Sequence, residues 1–260
     1  MQTHLDIQTN APLGDRGLID IYLPAGDGPH PFVLVVHGGG WRDGDRQAQQ
    51  WVVGRLVPHG YAAVLCSYRV AREAAFPGAY DDLVYLLHWL REHGYEHRLD
   101  PDRAALLGGS AGGHLVTLLS TRATREQTNI INIRAVIAYC PVTDMRNQFE
   151  WDTPRGMTIT VDFMGGKPDR LPDAYVACSP IDHIHAGVPP TFLAHGDQDD
   201  IVPVSPTLRY AEALEQAGVA VRLHIARGQP HIMIEDGEAD PLKFLFESEA
   251  LACLSEHLGA

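Results

Sequence analysis

A chain of 260 residues is long enough to bury roughly three quarters of the surface its unfolded form exposes, and 45% apolar with 20% charged residues excludes a disordered chain. The formal net charge of −13 repels phosphate backbones and anionic lipid, which excludes nucleic acid and membrane surfaces as partners and leaves small neutral or cationic molecules. Met1-Gln2-Thr3-His4-Leu5-Asp6 has neither the basic nor the apolar region of a leader, and no run of roughly 18 uncharged apolar residues occurs, so one cytoplasmic domain over 1–260 is expected.

In chain order, Thr3 to Gln8 and Leu18 to Leu23 alternate apolar with polar residues, as half-buried strands near a sheet edge do. Phe32 to Val36, Ala62 to Ser67, Ala104 to Leu107, Ala135 to Tyr139 and Thr191 to Ala194 are nearly continuous apolar runs, which suits strands covered on both faces; Val219 to Ile225 completes the set. Helical spacing links Tyr80, Leu83, Val84, Leu87 and Leu90. It also links Leu115, Leu118, Leu119 and Arg122 in a helix expected after Gly113, and it recurs over Tyr210 to Ala217 and Phe244 to His257. Strands alternating with helices predict an α/β architecture, a mostly parallel, doubly wound sheet of about eight strands with helices on both faces. Asp144 to Ala177 breaks the rhythm: it carries Met145, Phe149, Trp151, Met157, Ile159, Phe163 and Met164 with neither period. Residues 144–177 therefore read either as a small lid over a pocket or as an excursion covering the sheet edge.

Gly108-Gly109-Ser110-Ala111-Gly112 fits G-x-S-x-G, with a buried strand before it and a helix after it. A sharp strand-to-helix turn forces its neighbours together, so only very small side chains fit around the exposed hydroxyl. Serine is a weak nucleophile until a base takes its proton, so an acid and a histidine must follow in that order. The turn His195-Gly196-Asp197-Gln198-Asp199-Asp200 supplies Asp199 as the acid, with Asp200 the runner-up and Asp197 a turn former; Arg227-Gly228-Gln229-Pro230-His231 supplies His231. Both loops follow strands, where ligands approach open α/β sheets. The other histidines, His183, His185, His195, His224 and His257 among them, read as surface or core residues.

Acyl transfer builds negative charge on a carbonyl oxygen, and each amide already aimed at it is worth about 10²- to 10³-fold in rate. His37-Gly38-Gly39-Gly40-Trp41 follows a strand and is the HGGG-type loop for that task, so the N–H groups of Gly39, Gly40 and Ala111 are the expected oxyanion donors. Trp41, Trp151 and Met233, with Phe163 and Met164, are candidates for the substrate pocket. Cys66, Cys140, Cys178 and Cys253 show no spacing that binds zinc, so reduced thiols and no metal are expected.

With these motifs the chain resembles the α/β-hydrolase superfamily, specifically compact carboxylesterases related to bifunctional feruloyl/acetylxylan esterases and, more distantly, hormone-sensitive-lipase-like esterases. The matching stretches are His37 to Trp41, Ser67-Tyr68-Arg69, Phe76 to Asp82, Gly109 to Leu115, Ser179-Pro180, His195-Gly196 through Asp199 to Val202-Pro203, and His231. The resemblance implies an α/β-hydrolase fold, ester hydrolysis through Ser110, His231 and Asp199, and no cofactor. Only 36 residues precede His37, which leaves no room there for a large cap, and Gly109 stands where an acidic residue is usual before the serine. An arylformamidase of similar motifs is the alternative expectation, and a binding protein that has lost the chemistry is a remoter one. Oligomeric state is not legible.

Overall fold

The computed structural model describes residues 1–126, 130–231 and 247–259. Every expected apolar run is a strand: β1 (Gln2–Gln8), β2 (Leu18–Leu23), β3 (His30–Val36), β4 (Ala62–Cys66), β5 (Leu99–Gly109), β6 (Ile133–Tyr139), β7 (Thr191–Gly196) and β8 (Val221–Ala226). They form one sheet in the order β1-β2-β4-β3-β5-β6-β7-β8. β1 with β2 and β2 with β4 pair antiparallel, and all other pairs are parallel. Val219, expected at the start of β8, instead closes the preceding helix by donating its N–H to the Leu214 carbonyl at 3.0 Å.

The helices that matter here are α1 (Gly78–His93), α2 (Ala111–Leu118), α3 (Met145–Asp152), α4 (Ile159–Met164), α5 (Pro172–Ala177), α6 (Val204–Gln216) and α7 (Glu247–Leu258). The expected start of the last at Phe244 lies outside the described residues. Strand alternation divides the core in two. Phe32, Leu34 and Val36 pack with Leu83 and Leu87 of α1, Leu115 of α2 and Tyr210 of α6, while Val33 and Val35 pack with Val52, Leu56 and Leu254 of α7. Each such fully buried side chain is worth about 1.5–3 kcal/mol, so a sheet covered on both faces holds its strand ends firmly in place. Among the described residues, no helix is long and apolar enough to cross a membrane.

Residues 144–177 show no period because α3, α4 and α5 are only 8, 6 and 6 residues long, about two turns or fewer each. Met145, Phe163, Met164 and Tyr175 are buried in the main core. Polar contacts hold the first half of the segment to the rest of the fold. Gln148 donates to the Ile201 carbonyl at 2.9 Å and Trp151 to the Asp200 carbonyl at 3.2 Å, while Arg42 reaches Thr158 at 2.5 Å and pairs with Asp162.

Candidate active site

The helix after β5 begins at Ala111, three residues earlier than the spacing predicts, so Ser110 itself is the residue that turns the chain. Its backbone sits at φ 54°, ψ −122°, a region that costs a non-glycine residue on the order of 1–3 kcal/mol. The turn closes because its neighbours have no side chains: a Cβ on Gly112 would lie 2.2 Å from the Val36 carbonyl oxygen, and one on Gly109 would lie 1.8 Å from the Tyr139 ring. The Tyr139 ring thus fills the space that a side chain at position 109 would need.

Ser110 Oγ lies 3.0 Å from His231 Nε2, and His231 Nδ1 lies 2.7 Å from Asp199 Oδ2. Three distant segments meet through their loops. The Asp197 carboxylate accepts from the Gly228 N–H at 2.6 Å, and the Gln198 N–H donates to the Gln229 carbonyl at 3.0 Å, which ties the histidine loop to the acid loop. Asp200, the runner-up acid, is exposed, and Asp199 is buried.

Four donors surround the Asp199 carboxylate. Oδ1 accepts from the N–H groups of Ile201 at 2.9 Å and Val202 at 2.8 Å; Oδ2 accepts from His231 and from His195 Nε2 at 3.1 Å. Burial alone would raise its pKa, but the hydrogen bonds from His195, His231 and Val202 hold it well below the usual carboxylate range. Burial likewise pulls the His231 imidazole down, while the adjoining Cys140 sulfur and the Asp199 carboxylate raise it, and the net is upward. The 2.7 Å contact with the Asp199 carboxylate fixes hydrogen on Nδ1, so the neutral ring presents its Nε2 lone pair to the serine hydroxyl.

His195 belongs to this site although the sequence reading left it among the core residues. Its ring is fully buried, with Nε2 facing both Asp199 and the Val202 carbonyl at 3.0 Å and Nδ1 2.9 Å from Thr207 Oγ1. Its position four residues before Asp199, at the end of a buried strand, was the available signal.

The glycine loop lies beside the serine, with Gly39 at φ 105° and Gly40 at φ 57°. Among the described residues, no carbonyl accepts from the N–H groups of Gly39, Gly40 or Ala111. The Gly39 carbonyl is turned away, accepting from Arg42 at 3.0 Å and Asp43 at 3.2 Å.

Trp41 points inward. At φ 57° its side chain leaves the loop toward the core, is 2% exposed, stacks on Phe163 at 4.6 Å and donates Nε1–H to His114 Nδ1 at 3.1 Å. The expected pocket role is thus replaced by an anchoring one, with His114 in turn donating Nε2–H to the Cys178 carbonyl at 2.8 Å. Phe163 and Met164 are buried as well. Trp151 is partly exposed beside the acid loop, with the Arg155 guanidinium 3.4 Å above its ring. Met233 lies outside the described residues. The side chain that sequence reasoning missed is Ile159 at the start of α4, whose Cγ2 stands 3.3 Å from where a Cβ on Gly40 would be.

Two buried histidines make the surroundings of the glycine loop sensitive to acid. His37 stacks on Tyr68 at 4.1 Å with Nδ1–H donated to the Gly38 carbonyl, and burial lowers both its pKa and that of His114 to about 4. Unfolded, each ring takes up a proton near 6.5, so between pH 6.5 and 4 the unfolded chain binds more protons and stability falls as pH falls. The expected loss is about 3 kcal/mol per ring across that window. Denaturant midpoints measured from pH 7 to pH 4 should show it, with His114→Gln removing about one proton from the slope.

Comparison with known proteins places the chain among esterases of the same fold. Residues 19–214 match the family model BD-FAE. Esterase LipQ of Mycobacterium tuberculosis is 27% identical over 219 residues, covering 80% of this chain and 52% of its own. Among solved structures, a bacterial heroin esterase is 25% identical with a TM-score of 0.77, covering 100% of this chain and 84% of its own. A truncated carbohydrate esterase from gut microbiota has a TM-score of 0.83 at 18% identity, covering 98% and 96% of the two chains, and it shows the shared fold. The fold is that of the α/β-hydrolases, with no large cap among the described residues. The chain spans about half the length of the first curated relatives it matches.

Proposed function

The chain belongs to the BD-FAE family, and we propose that it is a serine hydrolase of small carboxylic esters. The observation that carries this reading is the continuous relay from Ser110 Oγ through His231 to Asp199, at 3.0 and 2.7 Å, beside three amides with no carbonyl partner among the described residues.

The mechanism that fits the relay is two-step acyl transfer. His231 Nε2 accepts the hydroxyl proton as Ser110 Oγ attacks the ester carbonyl. The tetrahedral oxyanion rests on the N–H groups of Gly39, Gly40 and Ala111, and the leaving alcohol takes the proton from the imidazolium. Water then repeats the sequence on the acyl-enzyme. Asp199 holds the tautomer and stabilises the imidazolium, and the chemistry needs no metal or organic cofactor. His195 and the Trp41–His114 pair act one layer out, the first on the acid and the second on the oxyanion loop.

Ile159 over Gly40 and Trp151 beside Asp200 are walls of the substrate site in this reading, supplied by a stretch that polar contacts from Gln148, Trp151, Thr158 and Asp162 hold in place as a fixed wall. A wall so close to the oxyanion loop favours short acyl groups. The four buried, free cysteines support a reducing, cytoplasmic setting.

The test is a series of p-nitrophenyl esters from acetate to laurate, with an aryl formamide beside them. Hydrolysis fastest at acetate or propionate is expected, with Ile159→Ala moving the optimum to longer chains. Preference for the formamide would assign the chain to the formamidases, and an optimum at long acyl chains would remove Ile159 as the limiting wall.

A further inference from the structure

The end of β6 brings a third kind of ligand atom to the His231–Asp199 pair. Cys140, the residue after Tyr139, sits at φ 39° and is held by its N–H to the Ala194 carbonyl at 2.7 Å. Its Sγ faces the histidine loop, 3.5 Å from the His231 carbonyl oxygen. The Cys140 sulfur, an Asp199 carboxylate oxygen and a His231 ring nitrogen all lie within 4.8 Å of one another. Spacing along the chain hides this cluster, because its members leave the ends of three different strands. Among the described residues it is the one group of three such side chains able to share an ion.

We propose that Cys140, Asp199 and His231 form a binding site for a thiophilic divalent cation, Zn²⁺ foremost, and that filling it switches the hydrolase off. The inhibitory half rests on the proposed ester hydrolysis; the metal-binding half does not. Zinc takes sulfur at about 2.3 Å and nitrogen or oxygen at about 2.0–2.2 Å in a tetrahedral shell, with a fourth position open to water. The ligand atoms of such a shell lie about 3–4 Å apart, so the 2.7 Å Nδ1–Oδ2 contact has to open slightly and the sulfur has to close in. Hard cations such as Mg²⁺ and Ca²⁺, which require several oxygens, have a single carboxylate here.

The proton balance explains the inhibition. Zn²⁺ binds the thiolate, so the thiol proton leaves to solvent. It also takes the Nδ1 lone pair, so the imidazole hydrogen moves from Nδ1 to Nε2. One proton is released and nothing is oxidised or reduced. With hydrogen on Nε2, His231 no longer accepts the Ser110 proton, and the carboxylate that held the productive tautomer is engaged by the metal.

Two readouts on the full chain test this. Co²⁺, as a spectroscopic stand-in for zinc, should give a thiolate-to-metal charge-transfer band in the wild type and in Cys253→Ser, and none in Cys140→Ser or Cys140→Ala. Zn²⁺ should inhibit p-nitrophenyl acetate hydrolysis reversibly, with chelator restoring the rate. Relative to each variant's own zinc-free rate, the inhibitory concentration should rise at least about 10-fold in both Cys140 variants, since even partners outside the ligand set typically cost 10- to 100-fold. Absence of the band from the wild type, or equal zinc sensitivity with and without the thiol, would overturn the proposal. A chain that shows the band but cleaves no ester would refute the hydrolase reading and leave the metal site supported.

Discussion

Replacing Ser110 with alanine is expected to lower kcat by about 10⁶ while leaving KM within a few-fold, the scale seen when a nucleophile is removed from a cooperating triad. Oγ is the hydroxyl oxygen that His231 Nε2 reaches at 3.0 Å, so in the proposed mechanism its loss ends covalent catalysis and leaves only the oxyanion donors, worth a residual 10³- to 10⁴-fold over water. The fold should not register the change. The hydroxyl hydrogen-bonds only to the imidazole among the described residues, and the φ of 54° at this position is imposed on alanine as it was on serine. A stability change under about 1 kcal/mol and an unaltered circular dichroism spectrum are therefore expected. Activity within 100-fold of the parent would mean that another group attacks the substrate.

Asp199→Asn is expected to lower kcat by about 10⁴, the cost of the wrong imidazole tautomer. The amide must place either its NH₂ or its oxygen toward His231. With NH₂ toward the ring, Nδ1 becomes the acceptor and hydrogen moves to Nε2, where it blocks the serine. With the oxygen toward the ring, NH₂ confronts the N–H groups of Ile201 and Val202, which approach within 2.9 and 2.8 Å. Either way a buried donor is left unpaired, so this variant, unlike Ser110→Ala, should also lose about 1–3 kcal/mol of stability. Asp200→Asn, at an exposed position, should leave kcat within a few-fold. The reverse result would transfer the role to Asp200.

The parts of this arrangement that could be read beforehand are those set by local chain physics. Apolar runs bounded by Gly, Pro and Asp gave the central strands, because a strand covered on both faces needs little else to declare itself, and alternation of apolar with polar residues gave β1 and β2. The serine turn was legible because only empty side chains fit it, and the loops of Asp199 and His231 because they follow strands in a fixed order. What stayed hidden depends on three-dimensional packing. Trp41 adjoins the oxyanion loop in sequence, yet its φ of 57° turns the ring into the core. His195 and His114 are two of fourteen histidines and differ from the rest only in what they face. Residues 144–177 hold helices too short to imprint a period, and Ile159, whose side chain stands against Gly40, is one of many apolar residues scattered through the segment. Cys140 carries no spacing signal, since its partners lie 59 and 91 positions further on.

The most direct measurement is covalent: the chain is treated with a fluorophosphonate, digested, and the modified residue located by mass spectrometry. The account expects one adduct, on Ser110, formed rapidly in the parent, slowly in His231→Ala and not at all in Ser110→Ala. An adduct on a different serine, or a parent chain that stays unmodified while fully folded, would contradict it.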